Sequence, residues 1–169
     1  MLPVQQGDVV LRRLRPDDAV AFHKMRSDPE VGRYQDWDKL DLDGARGFVT
    51  AMEQAPAFPR GGWWQIAIAH AQDDRLAGDL GLHLSDDGTE LELGITLARA
   101  AQGRGLAPQA IRIAADLVFA ETPARRIVLI TDARNAAMLA VAKRLGLTQV
   151  DVLHDRGMPE PVFHLPRPT

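Results

Sequence analysis

Gln102-Gly103-Arg104-Gly105-Leu106-Ala107 lies between an alternating, strand-like segment from Thr89 to Leu97 and an apolar-striped, helix-like segment from Pro108 to Glu121. Glycines at 103 and 105 let the backbone turn sharply and come close to a ligand, and the first N–H groups of the following helix have no partner within it. Such a turn favours a phosphate. An ordinary connection would also use glycine here, so the turn has to be read with its surroundings.

Upstream of Thr89, Trp63 to His70 and Leu76 to Leu84 alternate in the same way, and the links Gln72-Asp73-Asp74-Arg75 and Ser85-Asp86-Asp87-Gly88 are short and polar. Short links of this kind join antiparallel strands. Before them, Val9 to Leu14 reads as a strand, Arg15-Pro16-Asp17-Asp18 as the start of a helix running to about Ser27, and Leu42 to Gln54 as a second helix. Downstream, Arg126 to Thr131 is a short apolar strand, and Asn135 caps a helix over Ala136 to Leu145 that Gly146 closes. Leu147 to Leu153 and Pro161 to Leu165 suggest a hairpin with a long link containing Gly157 and Pro159. The expected order is β-α-α-β-β-β-α-β-α-β-β, an α/β fold with a mixed, largely antiparallel sheet flanked by helices, in one domain over residues 1–169.

Bulk composition narrows the function. The chain has 169 residues, 46% hydrophobic and 25% charged, enough to bury a core in one domain. Lys and Arg total 20 against 23 for Asp and Glu, a net charge of −3 that gives no field for nucleic acid. No apolar run approaches the roughly 20 residues that cross a bilayer, and no basic leader opens the chain, so the expectation is a cytoplasmic protein without a membrane partner. The absence of cysteine removes disulfides and a cysteinyl intermediate. The histidines at 23, 70, 83, 154 and 164 lack metal-ligand spacing, so no metal is expected.

Other phosphate loops fail on particular residues. A dinucleotide fingerprint needs a third glycine where Pro108 stands, and a P-loop needs Gly-Lys-Ser/Thr. The pattern Gln102, Gly105, Ala107, preceded by Glu92-Leu93-Gly94 and followed by Asn135 and Lys143-Arg144-Leu145-Gly146-Leu147, resembles the GCN5-related N-acetyltransferases (GNAT). Arg26-Ser27-Asp28-Pro29-Glu30-Val31, with Tyr34 and Trp37 beyond, is similar to the ribosomal-protein N-terminal acetyltransferase (RimJ/RimL-like) branch and its small-molecule relatives.

The resemblance implies acetyl-CoA, with Gln102, Gly103, Arg104, Gly105, Leu106 and Ala107 at its pyrophosphate and Ile95, Thr96 and Leu97 along its pantetheine. It also implies direct transfer to an amine, of a peptide N-terminus or a small molecule, and it admits a homodimer. Asn135 caps its helix and, in relatives, contacts the cofactor. Met138 departs from the branch, which often has serine there; it packs against CoA or the core, and a non-catalytic acyl-CoA sensor becomes the alternative reading. Arg99 and Arg104 are either CoA phosphate contacts or solvated surface.

Glu90 and Glu92 share one strand face, roughly 6.6 Å apart along it. A carboxylate there can take the proton that an ammonium must lose, and two neighbours would raise one another's pKa; both also suit a solvated face. The resemblance favours Glu92. Tyr34 and Trp37, in a polar segment, and His83 are the acceptor-side candidates, with acceptor choice expected from Ser27 to Trp37 and from Pro56 to Gly62.

Overall fold

The computed structural model describes residues 1–169. Its centre is an eight-stranded sheet made of β1 (Val4–Gln6), β2 (Val9–Arg13), β3 (Trp63–His70), β4 (Leu76–Leu84), β5 (Glu90–Leu97), β6 (Arg126–Ile130), β7 (Thr148–Asp155) and β8 (Met158–Pro166). The strand order is β1-β2-β3-β4-β5-β6-β8-β7, antiparallel at every pairing except β5 with β6. Four helices flank it: α1 (Ala19–Arg26), α2 (Leu42–Gln54), α3 (Leu106–Glu121) and α4 (Ala136–Arg144).

The sheet's two faces bury different sets of residues. On one, Leu11, Ile66, Ile68, Leu80, Leu82, Leu91 and Leu93 meet Ala110, Ile111, Ala114 and Val118 of α3. These α3 residues recur at three- and four-residue spacing, so one stripe of the helix lies on the sheet. Each large side chain buried here stabilises the fold by roughly 1.5–3 kcal/mol. On the other face, Phe22 and Met25 of α1 and Ala45 and Val49 of α2 cover Ala67 and Leu14. They cover only the β2–β4 side and leave the β5–β6 side open.

Local chemistry fixes the ends. Asp41 accepts the Gly44 N–H at 2.7 Å to start α2. Asp18 closes the turn before α1 by accepting the Arg15 N–H at 2.8 Å and by pairing with the buried Arg12. Arg167 donates to the Phe119, Thr122 and Ala124 carbonyls at 2.6, 2.7 and 2.9 Å, placing a cation at the α3 C-terminus.

Two expectations are corrected. Val4–Gln6 forms an additional edge strand, too short for its alternation to show in the sequence. The last hairpin has no long link: Asp155 pairs with Met158 across Arg156 and Gly157, whose φ values of 49° and 79° make a tight two-residue turn. Pro159 and Pro161, which suggested a loop, serve the sheet through their carbonyls, which accept the Ala133 and Thr131 N–H groups at 3.0 and 3.2 Å. No helix is long and apolar enough to cross a membrane.

Candidate active site

The site begins where β5 loses a neighbour. Along β4 it is paired from Leu91 to Leu97, but β6 accompanies it only over Glu90, Leu91 and Glu92. Ser85 donates to the Glu90 carbonyl and Ala98 to the Ala77 carbonyl, so even-numbered residues bond to β4 and odd-numbered ones face away. The N–H and C=O groups of Ile95 and Leu97 therefore point into the gap between diverging strands. Gly78 sets this close pairing, because a Cβ there would lie 2.1 Å from the Thr96 carbonyl oxygen.

That gap is a cleft of about 550 Å³ between β5, the start of α3 and α4. Gly103 and Gly105 line it with φ of 70° and 74°, a conformation that L side chains rarely adopt. A Cβ on Gly103 would meet nothing within 4 Å, and one on Gly105 only the Arg144 guanidinium at 4.0 Å. The space above the turn is thus open and faces the unpaired Leu106 and Ala107 amides at the start of α3. Gln102 braces the turn by donating to the Leu97 carbonyl at 3.1 Å. Across the cleft, Asn135 accepts the Met138 N–H at 3.1 Å to cap α4, which leaves its NH₂ group for a ligand.

A smaller cavity of about 210 Å³ opens on the sheet face that α1 and α2 leave bare. Trp37 and Trp63 wall it, Gly81 and Gly94 lie side by side in adjacent strands beneath it, and Arg26, Gln65 and Asp79 reach it from α1, β3 and β4. Gln35, Ile95 and Thr96 line both cavities, so the two meet there. The segment between α1 and α2 spans them and is pinned twice, by Arg99 to Asp28 at 2.5 Å and by Arg156 to Asp36 at 2.8 Å.

Glu92 lies on the face of β5 that carries Gly94 and Thr96. Burial pushes its carboxyl pKa up; the cross-strand neighbour His83 pulls it down and Glu160 of β8 pushes it further up. Glu90 pairs instead with Arg126. Asp79 is buried and its pKa is raised by that burial, against the opposing pull of the Arg26 ion pair and the Thr96 hydroxyl. No three acidic or histidine side chains are grouped so as to hold a metal ion.

Residues 8–148 match the family model for the acetyltransferase (GNAT) domain. The chain belongs to the GNAT acetyltransferase family. Its donor is acetyl-CoA, and the open glycine turn, free helix amides and unpaired β5 edge fit that elongated, anionic molecule. Similar solved structures include a GNAT-family acetyltransferase from Bacillus anthracis, 16% identical over 98% of each chain with a TM-score of 0.84. A spermidine N-acetyltransferase from Vibrio cholerae, in complex with CoA and spermine, is 18% identical over 95% of this chain and 96% of its own, with a TM-score of 0.79. A candidate ribosomal-protein-serine acetyltransferase from Vibrio cholerae is 19% identical over 98% of each chain, with a TM-score of 0.79. No curated protein matches the chain in sequence.

Most residues expected at the donor line the GNAT cleft: Ile95, Thr96, Leu97, Gln102, Gly103, Gly105, Leu106, Ala107, Asn135 and Met138. Arg104 does not line it, and Arg99 is tied to Asp28. The cations at the cleft are Arg33 and Arg144, which reach it from the α1–α2 segment and the last turn of α4. Tyr34, expected on the acceptor side, lines the donor cleft, with the Arg33 and Arg134 guanidiniums 5.4 and 5.7 Å from its ring centre. Trp37 lines the smaller cavity; His83 does not, and packs against Trp63 with ring centres 5.2 Å apart. Glu90 is turned away toward Arg126, so the like-charge neighbour of Glu92 is Glu160. Gln65 and Asp79 were not signalled by any motif, and Arg26, which opens the Arg26–Val31 stretch, carried no role there.

Proposed function

We propose that this acetyltransferase moves the acetyl group of acetyl-CoA directly onto a primary amine, with Glu92 as the base. The observation that carries the proposal is the meeting of the two cavities at Gln35, Ile95 and Thr96, on the strand that bears Glu92 two residues before the bare Gly94. An amine entering through the smaller cavity meets the donor cleft at that junction. Glu92, directly or through a water, takes the proton that frees the nitrogen lone pair; burial raises its pKa, which makes it a better proton acceptor than an ordinary carboxylate. The N–H groups of Ile95 and Leu97 stand ready for the negative charge that gathers on the carbonyl oxygen.

Acetyl-CoA supplies an activated thioester: the C–N bond forms as the C–S bond breaks and CoA leaves as a thiolate. Met138 offers that thiolate no proton, and the hydroxyls lining the cleft are those of Tyr34 and Thr96. One of these, or water, completes the balance. Between a peptide N-terminus, as in the RimJ/RimL-like branch, and a small molecule, the limited size of the smaller cavity supports the small amine.

A CoA-release assay over amino acids, polyamines, aminoglycosides and short peptides, with mass spectrometry of the product, tests the proposal. Acetylated amine in step with released CoA is expected. Tight acetyl-CoA binding without release on any amine would leave only the acyl-CoA sensor.

A further inference from the structure

The chemistry of the smaller cavity selects among amines. Arg26 lies at its inner end, its side chain 12% exposed, with the Trp37 ring 4.0 Å and the Phe22 ring 4.8 Å from the guanidinium carbon. Both rings lie within cation–π distance of the guanidinium. Nη2 donates to Asp79. Nε is buried and has no hydrogen-bond partner. A buried donor without a partner is unfavourable, and an oxygen brought beside it as the side chain adjusts would satisfy it.

The charge around this donor is also informative. Of the two carboxylates that line the cavity, Asp79 is already engaged by Arg26 and the Thr96 hydroxyl. Asp36, at the rim, is paired with Arg156. Neither carboxylate lining the cavity is free to hold a second ammonium group, which a polyamine would bring with it. Gln65, whose amide stands over Gly81, adds a donor beside the two indoles. The cavity, about 210 Å³ against about 550 Å³ for the donor cleft, is of a size that suits a small molecule such as an amino acid. Thr96 touches Asp79 and also borders the junction with the donor cleft, so the guanidinium and the reacting amine are a short span apart.

We infer that the acceptor is a small primary amine that also carries a carboxylate, as an amino acid does, with the carboxylate in the guanidinium plane of Arg26 and the amine at the Gln35–Ile95–Thr96 junction. Arg26 then determines specificity, since a planar guanidinium matches a carboxylate in a way that an ammonium does not. This assignment rests on the acetyl-transfer reading above.

The test measures CoA release with matched acceptors: amino acids, their carboxamides and their decarboxylated amines, beside spermidine and a short peptide. The carboxylate member of each set is expected to lead in kcat/KM by roughly 10- to 100-fold, mainly through KM. In Arg26→Lys that lead should shrink to a few-fold, with calorimetric CoA affinity as the control for folding. Asp79→Asn, which frees Arg26 of its competing carboxylate, should widen the lead. If CoA is released but a decarboxylated amine, spermidine or the peptide does as well as the amino acid, the carboxylate assignment is wrong and acetyl transfer stands. A lead that survives Arg26→Lys, or narrows in Asp79→Asn, also overturns it. If no amine releases CoA, both readings fall together.

Discussion

The two cavities that meet at Thr96 are built from different materials. Backbone makes the donor cleft: the free edge of β5, the turn at Gly103 and Gly105 and the first amides of α3. Side chains make the acceptor cavity, sent by α1, the α1–α2 segment, β3 and β4. A backbone site depends on φ and ψ, so it tolerates many sequences and suits a donor shared by a whole family. A side-chain site can be rewritten one residue at a time, so it suits the acceptor, in which members of such a family differ. Substitutions should therefore separate: on the acceptor face they alter turnover, and on the donor cleft they alter CoA affinity.

The largest effect is expected from Glu92→Gln. Loss of a positioned base lowers kcat roughly 10²- to 10⁴-fold, while calorimetric CoA affinity stays at the wild-type value because Glu92 does not line the donor cleft. A rising limb of kcat/KM with pH, present in the wild type as Glu92 loses its proton, should vanish in the variant. Undiminished turnover would assign the proton to another group.

Next comes Gly105→Val. A β-branched residue forced to a φ of 74° carries strain of order 1–3 kcal/mol, and its side chain fills the space over the turn. The strain falls on the fold, and the side chain blocking the turn should weaken CoA binding by roughly tenfold or more. Retained affinity would break the claim that the backbone turn is the phosphate site. Asn135 sharpens the comparison because it serves both fold and ligand. Asn135→Ala should cost about 1 kcal/mol of stability through the lost cap, whereas Asn135→Ser keeps a cap. If both weaken CoA binding several-fold and only alanine lowers Tm, the free NH₂ group binds the donor.

The same division explains what the sequence disclosed. Gly103, Gly105 and Asn135 could be read because positive φ and helix capping leave local signatures. Arg144 could not, since its place beside Gly105 depends on how α4 lies against α3. Tyr34 and Trp37 stand three residues apart in one polar segment, yet the chain turns between the cavities there and sends each to a different one. Arg26 and Asp79 are distant in sequence, and only the packing of α1 on the sheet makes them a pair. Glu90 and Glu92 looked equivalent by alternation until β6 supplied Arg126 to the first and β8 supplied Glu160 near the second.

The smallest predicted effect concerns stability, and its sign distinguishes a working base from a structural carboxylate. Burial raises the folded-state pKa of Glu92 above its ordinary value, so its contribution to stability is fully present below the unfolded pKa and is lost as pH rises through the folded one. Above both values the fold holds a carboxylate that water would solvate better. A glutamine side chain has no charge to lose or gain, so Glu92→Gln should melt above the wild type at pH 7, with the gap closing toward pH 4. His83 opposes the shift by favouring the charged form, which keeps the expected gap small. A variant that melts lower at pH 7 would mean that Glu92 stabilises the fold through its charge, a structural role. A variant that melts higher and turns over slower would show stability yielded at the acceptor face for reactivity.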